Sequence, residues 1–155
     1  MFSKACDNSH PEVDRYFYAL KGLRVLVVDD NMDSLELVRI ILEEYSVQVI
    51  TAISASEALR AIANIPPDIL ICDIAMPQVD GYSLLRQIRN LPPEQGGLIP
   101  AIALTAFATE VERTLALEAG FQKHLTKPVE PMVLVAVISE LAGQLLHLQP
   151  QDQVA

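Results

Sequence analysis

No apolar run in this chain approaches the roughly 18 uninterrupted residues that a membrane-spanning helix requires. Nor does the N-terminus show the succession of charged, apolar and small residues that marks a secretory signal. These absences exclude an integral membrane helix and make the cytosol the expected compartment. Cysteine is scarce. Cys6 and Cys72 offer no paired metal-ligand spacing and are expected to be reduced thiols. Positive charge is scarce too: 11 Lys and Arg stand against 20 Asp and Glu, a formal net charge of -9. Such a chain repels nucleic acid and anionic membranes, which argues against direct DNA binding and for proteins and cations as partners. No internal repeat, low-complexity tract or Gly-rich ATP-binding segment is present. What remains is 155 residues, 51% of them hydrophobic, enough for one well-buried core.

Residues 1–21 have no clear period, although Tyr16, Phe17, Tyr18 and Leu20 form a short apolar cluster able to dock on a domain. They are read as a leader, residues 22–148 as the domain and residues 149–155 as a polar tail. Val25 to Val28 predicts a first strand, and Leu35, Val38, Ile41, Leu42 and Tyr45 recur at helical spacing. Val47 to Thr51 predicts a second strand, after which Ser54 and Glu57 form a capping box for a helix ended by Pro66 and Pro67. Ile69 to Cys72 predicts the third strand. Asp80 caps the helix carrying Gly81, Leu84, Leu85 and Ile88. Ile99 to Leu104 is the fourth strand; the next helix starts at Thr109, with Glu112 as its capping partner, and stops at Gly120. Phe121 to Thr126 is the fifth strand, and Pro131 opens a last helix with Leu134, Val137, Ile138, Leu141 and Leu145 on one face. Five strand–helix pairs, several strands being apolar on both faces, predict a doubly wound five-stranded parallel sheet of order 2-1-3-4-5 with helices on both sides, a flavodoxin-like α/β fold.

In such sheets ligands bind beyond the carboxyl ends of the strands, where the strand order reverses. Asp29 and Asp30 end the first strand, Asp73 the third and Thr105 the fourth, while Lys127 follows the fifth. Carboxylates gathered in one crevice repel one another, and a hard cation relieves that by coordination. Mg²⁺ fits, with Asp30 and Asp73 as direct ligands. Lys127 and Thr105 suit the oxygens of a transferring phosphoryl group, and Asp73 can serve as its nucleophile. Each residue alone has a plainer reading: an N-cap for Asp29 or Asp30, a turn residue for Asp73, a solvated lysine, a strand-end threonine. The functional reading rests on their coincidence at the strand ends above apolar strand interiors.

As they stand, Val25-Leu26-Val27-Val28-Asp29-Asp30-Asn31, Asp73-Ile74-Ala75-Met76-Pro77 with Asp80-Gly81, Ala103-Leu104-Thr105-Ala106 and Lys127-Pro128 resemble the receiver domain of two-component response regulators, from about Arg24 to Leu146. The resemblance implies that Asp73 takes a phosphoryl group from a phosphohistidine on a histidine kinase or histidine phosphotransfer protein. It implies that Asp29 and Asp30 serve the metal and that the Ala75 backbone carbonyl joins the Mg²⁺ shell. Thr105 and Lys127 would draw in to the aspartyl phosphate, the small Ala106 would leave it room, and the Lys127–Pro128 bond would be cis. One position departs from the pattern: His124 stands where the second switch residue is often Tyr or Phe. The resemblance implies that it swings inward with Thr105 and alters the face formed by the helix after Thr109, the fifth strand and the last helix. That face is the expected contact for an unknown downstream protein or for a phosphorylation-dependent homodimer.

Gly22-Leu23-Arg24, Asp30-Asn31-Met32-Asp33-Ser34, Gly120-Phe121 and His124-Leu125 look most like receivers of hybrid sensor kinases. With no transmitter helix carrying a phospho-accepting histidine, the chain is expected to be a phosphoacceptor rather than a kinase or an output enzyme. An aspartate-nucleophile phosphatase would share the acids and the metal, but it needs a second acid two residues after the nucleophile, where Ala75 stands. A flavin-binding module would want hydroxyl- and glycine-rich loops where this chain has carboxylates.

Overall fold

The computed structural model describes residues 11–107 and 109–147; the polar tail, Cys6 and the start of the leader lie outside the described residues. Eleven numbered elements follow one another: α1 (Pro11–Leu20), β1 (Arg24–Val28), α2 (Met32–Glu43), β2 (Gln48–Ala52), α3 (Ala55–Asn64), β3 (Ile69–Asp73), α4 (Gly81–Arg89), β4 (Ala101–Thr105), α5 (Glu110–Ala119), β5 (Lys123–Thr126) and α6 (Pro131–His147). All strand pairs are parallel and their order is β2-β1-β3-β4-β5, the order that the sequence predicts.

The central strands β3 and β4 are buried at every position, so both of their faces must be covered. One layer consists of α3, α4 and α5 over Leu26, Val28, Leu70, Cys72, Ala101 and Ala103. The opposite layer consists of α2 and α6, joined by Leu20 of α1, over Val25, Val27, Ile69, Ile71, Ile102 and Leu104. This alternation decides where polar side chains point. Thr105 continues the Ala101–Ala103 row toward α5, and His124, in register with Ala103, lies on the same side.

Helix starts are held by side-chain caps, each satisfying a backbone N–H that has no partner within its helix. Asn31 Oδ1 accepts from Ser34 N at 2.9 Å, Asp80 Oδ1 from Ser83 N at 2.8 Å, and Thr109 Oγ1 from Glu112 N at 3.1 Å. At α3 the box is shifted by one residue: Ser54 Oγ accepts from Glu57 N, while Glu57 Oε1 accepts from Ile53 N at 2.9 Å. Gly120 ends α5 at φ 114, a left-handed conformation costly for any residue with a Cβ.

β1, β2 and β3 differ from the sequence reading by a single residue at one end or both, and three larger differences have local reasons. β4 starts at Ala101 because Ile99 N is spent on Gly96 O and Pro100 has no N–H to give. β5 starts at Lys123 because the turn after α5 takes Phe121 N to Ala116 O. Within the stretch read as a leader, Pro11–Leu20 is helical and packs against α6, with Tyr16 and Leu20, four residues apart, set against the core. Among the described residues, no helix is long and apolar enough to cross a membrane.

Candidate functional site

Parallel register brings the carboxyl ends of β1, β3 and β4 together, with Val28 opposite Cys72 and Asp73 opposite Leu104. Asp29 follows β1 and is buried, Asp73 ends β3 and is buried, and Asp30 faces solvent. Carboxylate oxygens from these three residues lie within 4.8 Å of one another. Burial of two like charges so close is unfavourable unless cations answer them.

The cation the chain supplies is Lys127. Its Nζ lies 2.8 Å from Asp29 Oδ2 and 3.3 Å from Asp73 Oδ1, and so spans the switch point from beyond β5. Lys127 is placed there by its own N–H, which donates to Thr105 O at 2.7 Å, and it is followed by a cis bond to Pro128. Asp29 Oδ1 accepts from Asn31 N at 2.9 Å, while Asp29 Oδ2 has only the ionic contact with Lys127 and no hydrogen-bond partner among the described residues. A buried carboxylate oxygen left short of partners, within reach of two further carboxylates, is the donor set a small oxygen-loving divalent cation takes. Asp29, Asp30 and Asp73 therefore fit Mg²⁺.

Electrostatics follow the geometry. Burial, then the charge of Asp29, raise the Asp73 pKa to about 6, against the lowering effects of Lys127 and a backbone hydrogen bond from Ala75. Burial opposes the charge on Lys127, but the close contact and charge of Asp29, then of Asp73, outweigh it and raise its pKa. Burial pushes the Cys72 thiol up, so this side chain, whose Sγ lies 3.3 Å from Asp73 O, is no nucleophile. Gly81 lies against Asp73: a Cβ there would stand 2.5 Å from Asp73 O and 2.9 Å from Ile74 Cα, so only glycine lets α4 start this close.

Thr105 is buried at the end of β4, but its hydroxyl is engaged on the α5 side. Oγ1 accepts from Phe107 N at 3.1 Å, and it lies in hydrogen-bond contact with a carboxylate oxygen of Glu112 and 3.0 Å from Phe107 O. Ala106 and Ala75 are exposed beside the site. His124 is half-buried on the same side as Thr105; burial lowers its pKa, Glu112 raises it, and Nε2 has no hydrogen-bond partner among the described residues. The sequence reading missed the Glu112 carboxylate, which it assigned to helix capping alone. A shallow hollow of about 170 Å³ opens beside Lys127, between Asp33, Ser34, Leu37 and Pro128. A larger one of about 470 Å³ lies between α3 and α4, on Leu59, Ile62, Pro66 and Leu91, away from the acids.

The family model described as the response regulator receiver domain matches residues 25–139. The chain belongs to the response regulator receiver domain family. It is 42% identical over 121 residues to an uncharacterized 14.6 kDa protein from the sodA1 3′ region of Leptolyngbya boryana, covering 78% of this chain and 91% of that one. Other curated relatives are longer, and the chain spans 14 to 56% of their length. A putative response regulator from Chloroflexus aurantiacus superposes with a TM-score of 0.75 at 33% identity, covering 79% of this chain and 99% of that one. The receiver domain of the sensor histidine kinase PA1611 from Pseudomonas aeruginosa, solved with a magnesium ion coordinated in its active-site cleft, superposes at 0.72 with 30% identity, covering 79% and 98%.

Proposed function

We propose that this chain is the phosphoacceptor of a two-component phosphorelay, with Asp73 as the residue that carries the phosphoryl group. The observation that carries this reading is the bridge of Lys127 Nζ between Asp29 and Asp73 at the strand-order reversal. An Asp73 carboxylate oxygen attacks the phosphorus of a phosphohistidine, the P–N bond breaks, and the imidazole leaves with the electron pair. The product is an aspartyl phosphate. With a pKa of about 6, Asp73 is largely ionised at neutral pH and able to attack.

Asp29, Asp30, Asp73 and the backbone carbonyl of Ala75 would hold Mg²⁺, which when bound supplies positive charge for the phosphoryl oxygens. Lys127 keeps its charge through burial and follows the phosphoryl oxygens from the second side. Thr105 donates its hydroxyl to one of them, and the small Ala106 leaves space for them. His124 shares the Thr105 side of the sheet, so a shift of Thr105 alters the surface of α5, β5 and α6.

The donor is a histidine kinase or histidine phosphotransfer protein in the cytoplasm. The hollow beside Lys127, with the exposed apolar side chains of Met32 and Leu37 nearby, suits an approaching helical surface. Output passes to another protein, or to a second copy of this chain when phosphorylated. Incubation with acetyl phosphate tests the reading. With Mg²⁺ the intact mass is expected to rise by about 80 Da, the mass of one added PO₃H, and with a chelator it is expected to stay unchanged. A gain indifferent to Mg²⁺ removes the metal from the account.

A further inference from the structure

Thr105 can serve a phosphoryl group only with a free hydroxyl proton, and here that proton has another claimant. Oγ1 takes the Phe107 N–H as acceptor, so its single O–H is left to donate, and the Glu112 carboxylate lies in contact with it. A carboxylate is a stronger acceptor than the neutral Phe107 carbonyl at 3.0 Å. Glu112 is also held in place. Its backbone N–H is bound by Thr109 Oγ1, and its backbone carbonyl accepts from Tyr82 Oη at 3.4 Å, which ties the first turn of α5 to α4. The alternation of β4 aims Thr105 at this turn.

We infer that Glu112 is a positioning residue, a latch that holds the Thr105 hydroxyl toward α5 and competes with the phosphoryl group on Asp73 for the same proton. The inference rests on Asp73 being the phosphoacceptor. Two anionic acceptors cannot share one hydroxyl proton, so the Glu112 contact must break before Thr105 turns inward. His124, on the same side of the sheet, has a buried Nε2 with no hydrogen-bond partner among the described residues. The latch thus opposes phosphorylation from outside the acid site, and it links Thr105 to the first turn of α5.

Beryllium fluoride with Mg²⁺, an unreactive stand-in for a phosphoryl group on a carboxylate, provides the test, with binding followed by fluorine NMR. Removing a hydrogen bond to a charged group is expected to make Glu112→Ala bind about tenfold tighter than wild type, with Glu112→Gln in between. In a Thr105→Val background, which keeps the shape and loses the hydroxyl, Glu112→Ala is expected to change nothing. Equal tightening with and without the hydroxyl overturns the latch, since Glu112 would then act only as a nearby negative charge. Unchanged or weaker binding in the Glu112 variants overturns it too. Because Glu112→Gln preserves the first turn of α5, an alanine variant that fails to fold leaves the comparison intact. Wild-type protein that binds no beryllium fluoride overturns the Asp73 reading itself, and the latch with it.

Discussion

Lys127→Ala is expected to slow phosphorylation of Asp73 by acetyl phosphate about 100-fold or more, the scale on which loss of a preorganised donor in a buried site is felt. Its Nζ is the charged group that touches both Asp29 and Asp73. Without it, two buried carboxylates lose the side-chain cation that contacts both, and under the proposed function the phosphoryl oxygens would lose a partner on the β5 side. Asp73 loses an influence that lowers its pKa, so a smaller fraction is ionised for attack. Lys127→Arg keeps the charge but exchanges a compact ammonium for a planar fork, and is expected to recover only part of the rate. The rate of mass gain at saturating Mg²⁺ checks both variants. A Lys127→Ala protein that phosphorylates at the wild-type rate would reduce this lysine to a structural counter-ion.

In the presence of a chelator, Asp73→Asn is expected to raise stability at pH 7.5 by about 2 to 3 kcal/mol, and the gain is expected to vanish near pH 4. The sign follows from the direction of the shift. Asp73 has a pKa of about 6 in the fold against 3.8 for the ordinary group, so the fold disfavours the charged form. Wild-type stability from this group is fully present below about pH 4 and is lost as pH rises through about 6. Asparagine carries no charge and escapes that loss. Thermal melts across this range measure it, as a difference of roughly 5–10 °C at the high-pH end for a domain of this size. Saturating Mg²⁺, which the acids of the wild-type native state would hold, is expected to narrow the gap. A variant that melts lower than wild type at pH 7.5 in chelator would mean that the acid cluster is not under charge strain.

Most of the fold is legible because the sequence writes the same instruction at several levels. β3 and β4 are apolar at adjacent positions, which a sheet covered on both faces can use, and the caps Ser54, Asp80 and Thr109 mark where helices begin. The acids and Lys127 can be placed because residues at strand ends must converge once the strand order is known. What is not legible depends on tertiary contact. α1 is a short helix whose Leu20 is buried only because α2 and α6 are there to receive it. β4 and β5 start late because loop hydrogen bonds take the amides that a longer strand would need. Thr109 and Glu112 have capping-box spacing, yet the carboxylate of Glu112 contacts Thr105, since a hydroxyl on the neighbouring strand lies within its reach. Sequence spacing reports neighbours along a helix, not the strand packed beneath it.

The central claim, that Asp73 carries the phosphoryl group, is tested most directly by trapping the product. Borohydride reduces an acyl phosphate to an alcohol, so protein phosphorylated with acetyl phosphate and Mg²⁺, then reduced and digested, is expected to yield homoserine at position 73. Homoserine at position 29 or 30, or none at all in protein that has gained a phosphoryl mass, would contradict the assignment.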